Sequence, residues 1–270
     1  MLPGFVWWRG IFGRSFSVWE ELVYSFLGSL AIIDLLMLLV GRVGLPLSIS
    51  FVGGLLFIIT IIGSILAWRR NRSFVQQDDA TDRPRFSARG LSILLALCVL
   101  TLFIRTIYLA PNILPTATDL GHHVYWAEII RSQETLPRYE KTEIVTDPVT
   151  KTSSIAPPRP IADFIIGEHL PLAFFAQLSG LPFTSAFPIL FLHVINLLSV
   201  MATMLLAFRL AAAYPGVKPE YVALGTLLVL GPLFAFASPQ ARFVTGGVVG
   251  NIFGNLFIPA VLLLFYRGLS

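Results

Sequence analysis

The sequence predicts an all-α, polytopic membrane protein with about six transmembrane helices. Three observations carry that prediction. The 270 residues are 56% hydrophobic and only 13% charged, with a mean hydropathy of +0.79, far from the averages of water-soluble domains. Apolar runs long enough to cross a hydrocarbon core of about 30 Å recur along the chain. The 19 Lys and Arg sit mostly beside those runs and form no long stripe, so the net charge of +4 and pI near 9.5 read as topology determinants, not as a nucleic-acid surface. The single cysteine, Cys98, lies inside an apolar run, which excludes an intrachain disulfide and a cysteine-based metal cluster.

Residues 1–20 carry Trp8, Phe12, Phe16 and Trp19 at helical spacing. That spacing predicts an interfacial helix that anchors the chain, with Arg9 and Arg14 towards lipid headgroups. No short apolar region with a small-residue cleavage site follows, so it is not a cleavable signal. Leu22–Val40 and Leu47–Trp68 form a first transmembrane hairpin within residues 21–68. Residues 69–90 are a basic loop whose Arg69, Arg70, Arg72, Arg83, Arg85 and Arg89 form the densest short-loop cluster of positive charge, and so should be cytoplasmic. The spans Leu91–Ala110, Ala186–Leu210, Tyr221–Ala237 and Val249–Tyr266 then place the N-terminus inside and residues 111–160 outside. Ile161–Phe183 is interrupted by Asp163, Gly167, Glu168, His169 and Pro171, so it is expected to be re-entrant or interfacial; only then do Arg209, Lys218 and Arg267 fall inside. The expected location is a bacterial or archaeal plasma membrane. Because the sequence stops just after an apolar run, it is expected to be part of something longer.

Polar residues within the spans are functional candidates by their cost. Asp34 and Arg105 lie at matching depths, roughly 18 and 21 Å above the inner ends of two outward spans, which predicts a structural pair. His193 and Asn196 share a helix face, with Gln177 upstream, and are expected to bond between helices. Asn251 and Asn255 lie near Gly246, Gly250 and Gly254, a series read as a packing face, and Pro232 and Pro259 should kink their helices.

The outer loop, residues 111–183, holds the chemistry. Thr118 to Arg131 reads as a short amphipathic helix, with Thr118 or Asp119 as its N-cap and Pro137 beyond its end. His122 and His123 stand at i+3 and i+4 from Asp119, so the three can converge on one point. Adjacent histidines also point about 100° apart. A general base, a divalent metal held by Asp119 with His122 or His123, and a helix cap beside headgroup-bonded histidines all stay open. Thr142 to Thr150 shows strand-like residues around Asp147-Pro148, a hairpin signal, and Pro157-Pro158-Arg159-Pro160 is a stiff connector.

From about Ser92 to Ser270 the layout resembles the start of a GT-C membrane glycosyltransferase, the superfamily of the protein mannosyltransferases and oligosaccharyltransferases. The resemblance lies in an apolar span, then Asp119-x-x-His122-His123 on a helix leading to Leu136-Pro137. Next come Glu168-His169-Leu170-Pro171-Leu172-Ala173-Phe174, Ser179-Gly180-Leu181-Pro182, and spans with Asn196-Leu197 and Arg209. It implies a GT-C-like transmembrane core over residues 91–270; the helical pair Leu22 to Trp68 ahead of it departs from the family layout. It also implies a polyprenyl-phosphate sugar donor, transfer at the outer face with inversion at the sugar carbon, and an acidic base or metal ligand early in the first outer loop, where Asp119 stands.

A glycosyl phosphate brings its own leaving group, so the protein must position an acceptor hydroxyl, take its proton and neutralise the phosphate. Asp119, His122 and His123 are the catalytic candidates. Arg159, Glu168, His169 and Arg242 are the substrate-binding ones, with Arg105 also able to offer phosphate a bidentate fork. The expected partners are a lipid-linked sugar donor, membrane lipids and a further chain or subunits, with no nucleic acid. A divalent metal is the cofactor these residues would accommodate. The rival of another class is a non-catalytic membrane subunit or assembly factor; a transporter would show inverted repeats and more midplane charge.

Overall fold

The computed structural model describes residues 2–12, 17–73, 86–107, 118–139, 144–155, 159–160, 166–237 and 249–269. In chain order the elements are α1 (Leu2–Phe12), α2 (Val18–Arg42), α3 (Ile49–Ser73), α4 (Ala88–Ile107), α5 (Thr118–Gln133), the short strands β1 (Arg138–Tyr139), β2 (Ile144–Thr146), β3 (Ser153–Ile155) and β4 (Arg159–Pro160), α6 (His169–Ser179), α7 (Phe187–Ala212), α8 (Pro219–Leu228), a π-helical turn (Val229–Leu233), α9 (Phe234–Ala237) and α10 (Val249–Leu269). Among the described residues five stretches are long and apolar enough to cross a membrane: α2, Ile49–Arg69 of α3, α4, α7 and Pro219–Phe236. The sixth expected span falls on α10, whose apolar stretch Phe253–Tyr266 is shorter.

Side-chain exposure matches a lipid environment. On α3, Phe57, Ile58, Ile61, Ile62, Ile65 and Leu66 are all exposed, an apolar face that water penalises and hydrocarbon does not. The interior is centred on α7, which packs against α2, α4, α6, α8 and α10 and buries Leu192, Ile195, Ala202, Met204 and Leu205.

One end of the bundle is joined by polar bonds between sequence-distant residues. Ser17 and Glu20 form a reciprocal capping box at the head of α2, Ser17 N donating to Glu20 Oε2 at 2.8 Å. The same carboxylate, 1% exposed, accepts two hydrogen bonds from Arg209 in the last turn of α7, each 2.6 Å. Ahead of α4, Ser87 donates through N and Oγ to Glu220 Oε1 of α8 at 3.2 and 2.6 Å, which sets an acid at a helix N-terminus. A side chain on Gly90 would run into that carboxylate.

The first helix is anchored on protein as well as by its expected place near the membrane surface. Trp8 is buried and stacks on Tyr24 with ring centroids 5.0 Å apart, and Trp7 Nε1 donates to Ile59 O of α3 at 3.1 Å. Arg9 meets Glu21 at 2.9 Å while its side chain stays partly exposed. Gly4 permits this close approach, since a Cβ there would lie 2.1 Å from Ser25 O. The apolar face of α1 is therefore taken up by α2 and α3.

The other expectations divide. The hairpin around Asp147 exists, but its return strand is Ser153–Ile155, later than the sequence pattern placed it. Asp147 Oδ1 accepts from Val149 N and Thr150 N at 2.7 and 3.1 Å, so residues expected in a strand build the turn instead. Pro232 sits in the π-helical turn, the expected irregularity, because its ring removes one backbone donor. Gly254 faces open space and Asn255 is exposed, so that part of the glycine series packs against nothing among the described residues. Gly246, Arg14, Arg83 and Arg85 lie outside the described residues, as do the side chains of Asn251, Arg70, Arg72 and Arg267.

Candidate functional site

The loop between the third and fourth long helices docks back on the first hairpin. α5 ends where Glu134 adopts φ 54°, and the Glu134 carbonyl accepts from Leu47 N, in the connection between α2 and α3, at 2.7 Å. Leu136 packs over Gly41 near the end of α2. With its end held, α5 turns Leu120, His123, Ala127 and Ile130 inward at helical spacing, and it packs against α6.

The head of α6 supplies the other half of the site. Pro171 lies in the first turn, where its missing N–H has no helical partner to lose. Glu168 occupies the N-cap position without capping; its carboxylate faces His123 Nδ1 at 3.1 Å. His169, the next residue, stacks on His123 with ring centroids 4.8 Å apart, and His123 Nδ1 and His169 Nε2 are 2.8 Å apart. His123, Glu168 and His169 are 7%, 3% and 1% exposed.

The partners fix where the protons sit. His169 Nδ1 lies 3.3 Å from Ile166 O, which only accepts, so that nitrogen donates. Burial, the largest influence, lowers the His169 pKa despite the opposing charge of Glu168, which keeps the ring neutral and makes Nε2 an acceptor. His123 Nδ1 is then the donor between His169 Nε2 and the Glu168 carboxylate. A carboxylate orienting an imidazole in this way is a general-base arrangement. One ligand atom from each of the three residues also fits within a 4.8 Å span, a donor set that a first-row divalent ion accepts.

The structure separates the two adjacent histidines. His122 is exposed, and its Nε2 accepts from Trp126 Nε1 at 2.9 Å on another face of α5, as the rotation of about 100° per residue requires. Asp119 lies in the first turn of α5, but its side chain, that of Arg159 in β4 and the whole of Arg242 lie outside the described residues. Glu168 and His169, expected to bind substrate, are the core of the cluster.

Asp34 and Arg105 form no ion pair. The Asp34 carboxylate lies against Gly167, where an added Cβ would be 3.1 Å from Oδ2, and the charged group that acts on it is Glu168. Arg105 is buried beside His193. Equal depth does not decide a pairing, because the direction of each side chain around its helix also must match. His193 Nδ1 donates to Ile189 O within α7 at 2.8 Å while the ring also faces the Arg105 backbone of α4, and Gln177 bonds across to Arg131 O of α5 at 3.2 Å.

The chain is thus an all-α, multi-pass integral membrane protein with a buried histidine–carboxylate cluster beside one of its long helices. Comparison with protein-family models, curated proteins and solved structures found no match to it.

Proposed function

We propose that this protein is a membrane glycosyltransferase of the GT-C type, or the N-terminal portion of one, taking its sugar from a polyprenyl-phosphate donor at the outer membrane face. The observation that supports this reading most is the buried His123–Glu168–His169 cluster, assembled by the loop the family resemblance marks as catalytic. In this reading α10 is the sixth span, α6 is the re-entrant element, and the N-terminus is cytoplasmic in a bacterial or archaeal plasma membrane.

The chemistry needs few parts. The acceptor hydroxyl oxygen forms a bond to the sugar C1 as the bond from C1 to the phosphate oxygen breaks, and the phosphate leaves with that electron pair. His123 Nε2 takes the hydroxyl proton, and Glu168 stabilises the imidazolium that forms. Asp119, at the start of the same helix, is the residue the family resemblance would make the base. Arg159 and Arg242 are candidates to meet the departing phosphate.

Reconstituted protein, within its full-length chain, should transfer sugar from a polyprenyl-phosphate sugar to an acceptor. Glu168→Gln and Asp119→Asn should each lower transfer by a factor on the order of 100, with membrane insertion unchanged. Undiminished activity in Glu168→Gln would remove the cluster from the chemistry. A protein inert towards every polyprenyl-phosphate sugar offered would favour a non-catalytic subunit or assembly factor.

A further inference from the structure

We propose that Asp34 joins His123, Glu168 and His169 in a single two-histidine, two-carboxylate centre for a zinc-class divalent cation, built between α2 and the α5–α6 pair. Asp34 belongs to the first hairpin, outside the part of the chain that resembles a glycosyltransferase. Its place in the centre is visible only in the fold.

Four observations converge. First, the backbone of Gly167 lets α2 approach the head of α6: a Cβ there would stand 3.1 and 3.6 Å from the two Asp34 oxygens, so any side chain would press on the carboxylate. Second, Asp34 Oδ1 is shut off from solvent and has no hydrogen-bond donor among the described residues. A buried carboxylate oxygen left in that state is costly until a proton or a cation takes the lone pair. Third, the charge that Asp34 feels is the like charge of Glu168, and among the described residues no lysine or arginine is ion-paired with either. Two carboxyl groups brought together with no basic side chain paired to them are an arrangement that a single divalent ion relieves. Fourth, Ile166 O holds His169 Nδ1–H and so turns the Nε2 lone pair into the cluster, the outer-partner arrangement that metal-binding histidines use.

The donor set selects the ion. Two imidazoles and two carboxylates suit zinc and its first-row neighbours, whereas magnesium and calcium require oxygen ligands. Tetrahedral bonds of about 2.0–2.2 Å space ligand atoms about 3.4 Å apart, so an ion would open the 2.8 Å approach of the two histidine nitrogens slightly while the three residues stay within their 4.8 Å span. Binding at His123 Nδ1 displaces the proton held there, so uptake should weaken as pH falls. For what the ion would do, namely hold a phosphate or a hydroxyl, the inference rests on the glycosyl-transfer reading; for its existence it rests on the side chains alone.

The test reads the metal directly. The full chain, stripped by chelator in detergent, is offered Zn²⁺ or Mg²⁺, desalted, and its metal content measured together with its melting temperature. Zinc should be retained at about one ion per chain and raise the melting temperature, with magnesium inert. His169→Ala and Glu168→Gln should abolish retention, and the isosteric Asp34→Asn should weaken zinc affinity by about tenfold or more, while Asp147→Asn leaves it unchanged. Should the variants fold poorly, Co²⁺ in the unaltered protein provides a visible spectrum that reports nitrogen and oxygen ligands. No zinc retention by the parent protein, or parental affinity in Asp34→Asn, overturns the four-residue centre. Zinc retention without sugar transfer would end the glycosyltransferase reading alone, and transfer by a protein that retains no zinc would end the metal centre alone.

Discussion

Glu20 shows how much one side chain can carry. It closes the capping box of α2 and also receives the Arg209 fork, while 1% exposed. Removing the arginine would strand a buried charge, so Arg209→Ala should cost on the order of 3–5 kcal/mol. Replacing both partners with glutamine should cost less than that single change, because no charge then stays buried. Thermal unfolding in detergent reads the difference, and an Arg209→Ala protein as stable as its parent would assign the pair no net role. The sequence marked Arg209 as a topology signal near a span end, and it did not reveal the partner 189 positions away. Asp34 went the same way. Its cost in a bilayer made it conspicuous, its depth was readable from span boundaries, and the turn of its side chain towards Gly167 was not.

Elements were more legible than pairings, because hydrophobic period and turn residues act locally. The apolar runs became α2, α3, α4, α7 and α10 within a few residues, and Pro232 marked a break in helical geometry. The hairpin was found but misregistered, since Val149 and Thr150 have strand-forming side chains and yet spend their amides on Asp147. Those amides, Thr150 first, hold the Asp147 carboxyl below its usual pKa. A carboxyl whose folded pKa is depressed contributes its stability above the unfolded value, about 3.9, and loses it as pH falls through the folded value. The Val149 and Thr150 amide resonances should therefore move as pH is lowered from about 5 to about 2, and Asp147→Ala should show the acid-form positions at every pH. Resonances that stay fixed in the parent would show that the carboxylate does not hold the turn.

At the scale of the whole molecule, the arginine-rich loop between α3 and α4 predicts the orientation of everything else. A membrane-impermeant thiol reagent on intact cells should label Thr150→Cys and spare Gln76→Cys. The reverse pattern would invert the bundle and place the His123 cluster on the cytoplasmic side.

Residue types and their spacing alone determined the solvent of this protein, the helical class, the main apolar runs and the histidines and carboxylates that could do chemistry, because burial in lipid and helical periodicity are properties of neighbouring residues. Tertiary structure decided which of those polar groups meet. His123 and His169 are 46 positions apart, and Asp34, which comes from the first hairpin, reaches Gly167 beside them. Their encounter depends on the loop docking against α2, on the glycine that lets α2 come close, and on the rotation that turns His123 inward and His122 out, none of which has a local signal in the chain.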